Sequence, residues 1–398
     1  MSKILSKRVK EIKESATLTI AAKASQLKNE GIDIIGLNVG EPDYDTPLNI
    51  KAAAIDSIHE GHTKYTPVSG IPELKSVIIR KFQQDNNLEY KPNEIMVSCG
   101  AKQAIINMML ATLDPEDEVI IPAPYWTSYP DMCLLAEAKP VIVETTHADN
   151  FKITPEKLKD AITNKTKMII INSPSNPTGV IYSKEELEKL AEIITSHPNI
   201  LVLSDDIYEK IIWPNSEFYN ILTVAPHLND RTILINGVSK TYAMTGWRIG
   251  YAAGPADIIK AMTKIQSQST SSPCSISQDA AVEALNTSEV TISEMINTYH
   301  SRYSYITEIL SEIPEIEMIE SQGSFYIFPN VTKLISKLGL SSDLELTEFL
   351  LEKANVSVIP GTVFGAPGYI RISFAICKKR LREAVDRIKS AIAESDSE

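Results

Sequence analysis

Four short apolar runs, each closing on a residue able to do chemistry, limit the folds open to this chain. Ile95–Val97 precede Gly100, Met168–Ile171 precede Asn176, Ile200–Leu203 precede Asp205, and Ile233–Ile235 precede Lys240. Runs of this length suit strands buried on both faces. Helical patterns separate them, which is the arrangement of an α/β fold built on a mostly parallel sheet. Parallel strands end at a common edge, and in open α/β sheets that edge collects ligands. Four residues far apart in the chain are therefore expected side by side.

The last of the four says most about chemistry. After Ile233–Ile235 the chain breaks into Asn-Gly-Val-Ser-Lys, so small residues leave the Lys240 amine clear. Arg248 follows, between Trp247 and Ile249. A lysine among small residues, with an arginine held nearby, suits a Schiff base with an aldehyde while the arginine clamps a phosphate. The same stretch also reads as a solvated loop lysine, as most lysines are.

Other positions carry similar double readings. A strand that enters a helix through Gly100 presents backbone N–H groups and a helix dipole to an anion, although α/β proteins contain many such turns. Pro177 forces Asn176 out of helical geometry. Asp205, at the carboxyl end of a strand, is placed to hold a ring nitrogen protonated, and Asp206 is the competing acid. Gly40 ends an expected strand over residues 31–40 and is equally a plain turn glycine. Trp126 is one of three tryptophans, and a core role fits it as well. Arg371 lies in an Ile-Arg-Ile-Ser-Phe alternation, poised for a bidentate grip on a carboxylate or for a structural ion pair.

The stretch Gly237-Val-Ser-Lys-Thr-Tyr-Ala-Met-Thr-Gly-Trp-Arg-Ile-Gly closely resembles the lysine signature of class I pyridoxal-phosphate aminotransferases. Its second half is like the bacterial aspartate (aspartate/prephenate) branch, and Asn176-Pro-Thr-Gly matches a second family motif. The resemblance runs from about Ser15 to near the C-terminus. It implies fold-type I, with a large lobe over 49–296 on a seven-stranded sheet and a small α+β lobe from 1–48 plus 297–398. It implies pyridoxal 5′-phosphate bound covalently by Lys240, with Gly100, Ala101 and Arg248 at the phosphate and Trp126 stacked on the ring. Asn176 and Tyr208 would meet the phenolic oxygen. Asp205 would meet the ring nitrogen, because a tyrosine follows it by three, and Asp206 reads as structural or solvated. Tyr65 is similar to the tyrosine that reaches the neighbouring subunit's phosphate, which implies a homodimer. Arg371 matches the arginine for the substrate α-carboxylate, and Gly40, Trp126 and Asn176 border the substrate.

The implied activity is transamination between L-aspartate or L-glutamate and a 2-oxo acid, in ping-pong order. Residues 267–272 are rich in hydroxyls and hold no arginine for a side-chain carboxylate. Lys102, in the first turn after Gly100, is the expected cation, with Ser15 and Thr17 closing over the same group. Lys102 also reads as a partner for the phosphate. Oxaloacetate, prephenate and other oxo acids share this pattern. A lyase or synthase on the same fold would share Lys240, Asp205 and Asn176. A nicotinamide dehydrogenase would want a Gly-x-Gly-x-x-Gly turn, which is absent. A sensor on this fold would need a DNA-binding domain, for which the segment before the first lobe is short.

Composition narrows the setting. Apolar residues make up 43% and charged residues 23%, as in soluble globular proteins. No apolar run approaches the roughly 18 residues of a membrane span, and the charged start lacks the apolar stretch of a signal peptide. Four cysteines without Cys-x-x-Cys spacing argue against zinc or a disulfide framework, so no metal and a reducing cytoplasm are expected. A net charge of −12 without a basic patch makes nucleic acid an unexpected partner.

Overall fold

The structure, a computed structural model, describes residues 4–14 and 16–395. A helix over Ala16–Asn29 leads to β1 (Ile35–Gly36). The main sheet then takes β2 (Ile95–Ser98), β3 (Glu118–Ala123), β4 (Lys139–Glu144), β5 (Thr166–Asn172), β6 (Leu201–Asp205), β7 (Thr232–Gly237) and β8 (Gly250–Ala253). Their spatial order is β2-β8-β7-β6-β5-β3-β4, parallel throughout except that β8 runs antiparallel to both its neighbours. The expected seven-stranded, mostly parallel sheet is therefore present. Alternation along its strands loads both faces. Ile169, Ile171, Val202 and Leu234 pack beneath helices carrying Leu74, Ile78, Leu187 and Ala281. Leu203, Ile233, Ile235 and Ala252 pack on the other face, against Ile105, Met108 and Met262. With both faces covered, each fully buried Ile or Leu contributes about 1.5–3 kcal/mol, and the strand ends are held rigidly.

A second core gathers around the helix Lys378–Ser395 and the strands β9 (Tyr326–Ile327), β10 (Val356–Ser357), β11 (Ile359–Pro360) and β12 (Ile370–Ser373). Its sheet order is β11-β12-β9, antiparallel, and β1 pairs in parallel with β10. Ile35 and Leu37 therefore belong with the C-terminal core, whereas Ile50 and Ala54 pack on the main sheet. The helix Glu289–Leu310 bridges the two. Its Ile292 lies in the first core, and its Met295, Tyr299, Ile306 and Ile309 lie in the second. The passage from the first core to the second is thus a continuous helix. Among the described residues no helix is long and apolar enough to cross a membrane.

One local expectation needs correction. Within 31–40 only Ile35 and Gly36 pair as strand, because beyond Leu37 the carbonyls turn away to side chains: Asn38 to Arg371 and Gly40 to Lys240. Thr17 and Leu18 lie in the first turn of the helix Ala16–Asn29, and Ser15 falls outside the described residues.

Candidate active site

Helix Ala101–Thr112 sets one wall of the site. Ala104, Ile105, Met108 and Met109 anchor it on the sheet, and Gly100 caps it at φ +83°. A side chain at Gly100 would collide with the Arg248 guanidinium, so only glycine lets that cation approach the helix end. Arg248 is itself left-handed at φ +60°, after the turn Thr245–Trp247. Its Nη1 donates to the Thr245 carbonyl at 2.9 Å and its Nη2 to the Cys99 carbonyl at 3.3 Å. A helix N-terminus and an exposed guanidinium side by side form a cradle for a phosphate.

The cradle opens into a cavity of about 500 Å³. Thr17, Gly40, Ala101, Lys102, Trp126, Asn176, Asp205, Tyr208, Lys240, Arg248 and Arg371 all line it. The Lys240 Nζ donates to the Gly40 carbonyl at 2.7 Å and lies 5.9 Å from the centroid of the Tyr208 ring. Burial lowers its amine to about 8, and the cations Arg371 and Arg248 add to the effect, while Glu41 and Asp205 oppose it. An amine near neutrality is a usable nucleophile and base.

Asp205 sits at the end of β6, 4% exposed. The Tyr129 hydroxyl donates to its Oδ2 at 2.6 Å, and the Ile207 N–H to its Oδ1 at 3.3 Å. Burial raises its carboxyl, and those donors together with Lys240 pull it back. Asn172 ties the neighbouring strand ends together: its amide donates to the Asp205 carbonyl at 2.9 Å and accepts from the Asn176 N–H at 3.0 Å. Asp206, which also read as a solvated acid, is buried and points to the other side of the sheet, with Ser204 as its donor.

Arg371 is 3% exposed, over the Tyr326 ring at 4.4 Å. Its Nη1 donates to Asn176 Oδ1 at 2.9 Å and its Nη2 to the Asn38 carbonyl at 2.8 Å, while its Nε is buried without a partner. Among the described residues it has no carboxylate partner, so the structural ion pair does not form. A buried cation with an unused donor calls for an anionic ligand. Tyr208 and Tyr326 share a hydroxyl contact of 3.0 Å beside it.

The rim is looser. Lys102 is exposed, with its Nζ over the Trp126 ring at 4.9 Å, and burial and then Arg248 lower its amine. Thr17 and Leu18 line the same side from the N-terminal helix. Tyr65 is 95% exposed and does not line the cavity of its own chain. Sequence reasoning missed Tyr129, Tyr326, Asn38 and Asn172. Tyr129 follows Trp126 by three on a helical turn, a faint signal; the others had none.

A phosphate cradle, a reactive lysine, a strand-end carboxylate and an unpaired buried arginine around one cavity fit an aldehyde cofactor carrying a phosphate and a ring nitrogen. The family model for aminotransferase class I and II matches residues 32–388, and the chain belongs to that family. It is similar to the aspartate/prephenate aminotransferase of Nitrosomonas europaea, 51% identical over 98% of this chain and 100% of that one. Among solved structures it resembles the aspartate aminotransferase of Rhizobium meliloti, with TM-score 0.94 and 43% identity over 98% of this chain and 99% of that one. It also resembles the Thermus thermophilus aspartate aminotransferase solved with maleate, with TM-score 0.93 and 40% identity over 98% and 100% of the two chains.

Proposed function

We propose that the chain is an aspartate aminotransferase using pyridoxal 5′-phosphate to move an amino group between L-aspartate or L-glutamate and 2-oxoglutarate or oxaloacetate. The observation that carries the reading is Arg371, a buried guanidinium with no carboxylate partner and one idle donor, facing the same cavity as Lys240. Bound there, the cofactor supplies an aldehyde for the amino group and a ring that takes up electrons freed at the α-carbon. Lys240 would hold the aldehyde and would move a proton at the substrate α-carbon. Asp205 would keep the ring nitrogen protonated, and Asn176 and Tyr208 would donate to the phenolic oxygen. The Gly100–Ala101 backbone and Arg248 would hold the phosphate, with Trp126 beside the ring. Arg371, beside Gly40 and Asn176, grips the α-carboxylate.

Acidic substrates need a second cation in the site. Lys102, with Thr17 on the lining of the same cavity and Ser15 two residues before Thr17 in sequence, fills that role in this reading. The relative solved with maleate, a dicarboxylate, and the aspartate names among the relatives support it. Prephenate as an amino acceptor is favoured as a second reading by the name of the Nitrosomonas relative.

The two lobes in this reading are 49–296 and 1–48 with 297–398, meeting in helix Glu289–Leu310. A homodimer is supported by Leu48, Ile55 and Ile58, which are 80%, 54% and 52% exposed on one helix near the exposed Tyr65. In that dimer Tyr65 would serve the partner's phosphate. Four free thiols support a reducing cytoplasm. The test is the visible absorption of the purified protein. A cofactor band that shifts on adding glutamate is expected, followed by oxo-acid products in a panel of acceptors. Absence of any band after incubation with pyridoxal phosphate would overturn the reading.

A further inference from the structure

Asp205 and Asp206 are consecutive, both buried, and turned to opposite faces of the sheet. Their surroundings differ in donors. Asp205 takes Tyr129 on one oxygen and the Ile207 N–H on the other, with Lys240 across the cavity. Asp206 has Ser204 Oγ on Oδ1 at 2.7 Å, and its Oδ2 is buried with no partner. Out of water a carboxylate keeps its charge only where donors or a cation stabilise it, so the worse supplied of the two gives it up.

The groups behind Asp206 decide which. Lys81, from the helix Pro72–Asn86, is ion-paired with Glu209, and it also donates to Asn86 at 2.9 Å and lies 3.7 Å from Asp85. Glu209 takes further donors from Asn86 at 3.1 Å and Asn236 at 2.8 Å. Lys210 donates to Asp85 at 2.7 Å. Two lysines are thus engaged by two acids, and Asp206 is a third. The remaining titratable neighbours are phenols: Tyr90, whose buried hydroxyl is also unpartnered, Tyr251, and Tyr129 from the cavity side. None supplies a positive charge.

We propose that Asp206 is a positioning residue that stays protonated in the folded protein, so that the single negative charge of the pair is confined to Asp205 at the cavity. The functional sense of this rests on the reading above, in which Asp205 faces a protonated ring nitrogen: a silent neighbour leaves that carboxylate as the one charge the ring meets. Burial pushes the Asp206 carboxyl up to about 8, with Glu209 and Asp205 adding to the effect against Ser204 and Lys81. The pair follows the general pattern in which two adjacent acids are driven apart by unlike environments.

The test uses cofactor-free protein, so it stands or falls independently of the absorption test of the cofactor. A carboxyl raised on folding from 3.8 to about 8 stabilises the fold below the lower value and loses that contribution as pH rises through the upper one. Wild-type unfolding temperature should therefore fall relative to Asp206→Asn by about 2 °C or more between about pH 5 and about pH 8.5, and the difference should flatten above. A constant difference, or a variant that loses ground as pH rises, would mean that Asp206 is ionised and paired, and would overturn the proposal. Should Asp206→Asn not fold, infrared spectra of Asp205→Asn decide. An acid carbonyl band present at about pH 6.5 and lost as pH rises through about 8 is expected, since ordinary carboxyls ionise well below that range. No such band at about pH 6.5 would sink the idea.

Discussion

The cavity has two kinds of wall, and they are built differently. Its floor consists of Lys240, Asp205, Asn176 and Arg371, mostly buried and bonded to backbone or to one another. Its rim consists of Lys102 and the N-terminal helix around Thr17 and Leu18, side chains on exposed helical turns. Groups on the floor act in a low dielectric, where each bond and charge weighs heavily and little movement is allowed. Groups on the rim are wetter and adaptable. Under the proposed function, the difference assigns the type of reaction to the floor and the choice of substrate to the rim.

The largest expected effect tests the floor at its centre. Lys240→Ala should abolish turnover, because in the proposed function one amine serves as both anchor and base, while the far-ultraviolet spectrum stays native. More than a small residual fraction of transamination would remove Lys240 from its place. Next comes Arg371→Leu, which should weaken every amino-acid substrate by about 3 kcal/mol, acting through the shared carboxylate. A loss confined to dicarboxylic substrates would move Arg371 to the rim and erase the distinction.

The rim is tested by Lys102→Ala. It should lower kcat/KM for aspartate and glutamate by about 2 kcal/mol and leave an aromatic amino acid nearly untouched. Equal losses for aspartate and phenylalanine would make Lys102 a phosphate partner and part of the floor. A smaller effect follows from Tyr129→Phe, which removes one donor from the buried Asp205. Cofactor retention should weaken by about 1–2 kcal/mol, read by equilibrium dialysis.

The smallest effect is in pH. With the Lys240 amine lowered to about 8, its reaction with an amine-selective acylating reagent in the cofactor-free protein should rise through about pH 8 and level off above it. A free alkylamine used as reference should keep climbing well beyond that point, as unperturbed amines do. A Lys240 profile identical to that reference would show that the floor is as wet as bulk solvent. The sign for stability is also set: a lysine whose folded value is depressed resists protonation, so its contribution improves as pH rises from about 8 towards 10.5.

Much of the floor is legible in the amino-acid sequence. Strand ends are local features: an apolar run, a glycine or proline, then a polar residue place Gly100, Asn176, Asp205 and Lys240 at one edge by backbone geometry alone. The lysine signature and Asn-Pro-Thr-Gly added the rest, and Arg371 followed from its strand. What could not be read were the partners. Nothing near Asp205 in the chain announces Tyr129, 76 residues earlier, and nothing near Arg371 announces the Asn38 carbonyl, 333 residues away. Asp206 read as solvated or structural because its burial is created by helix Pro72–Asn86 and Tyr90, brought in from elsewhere. The left-handed turn at Arg248 could not be read either, since the residue it fits against, Gly100, lies far away in the chain. Residue type and spacing thus determined which groups reach the cavity. Desolvation and hydrogen-bond partners are sums over distant segments, so only the tertiary structure decided which of those groups carry charge.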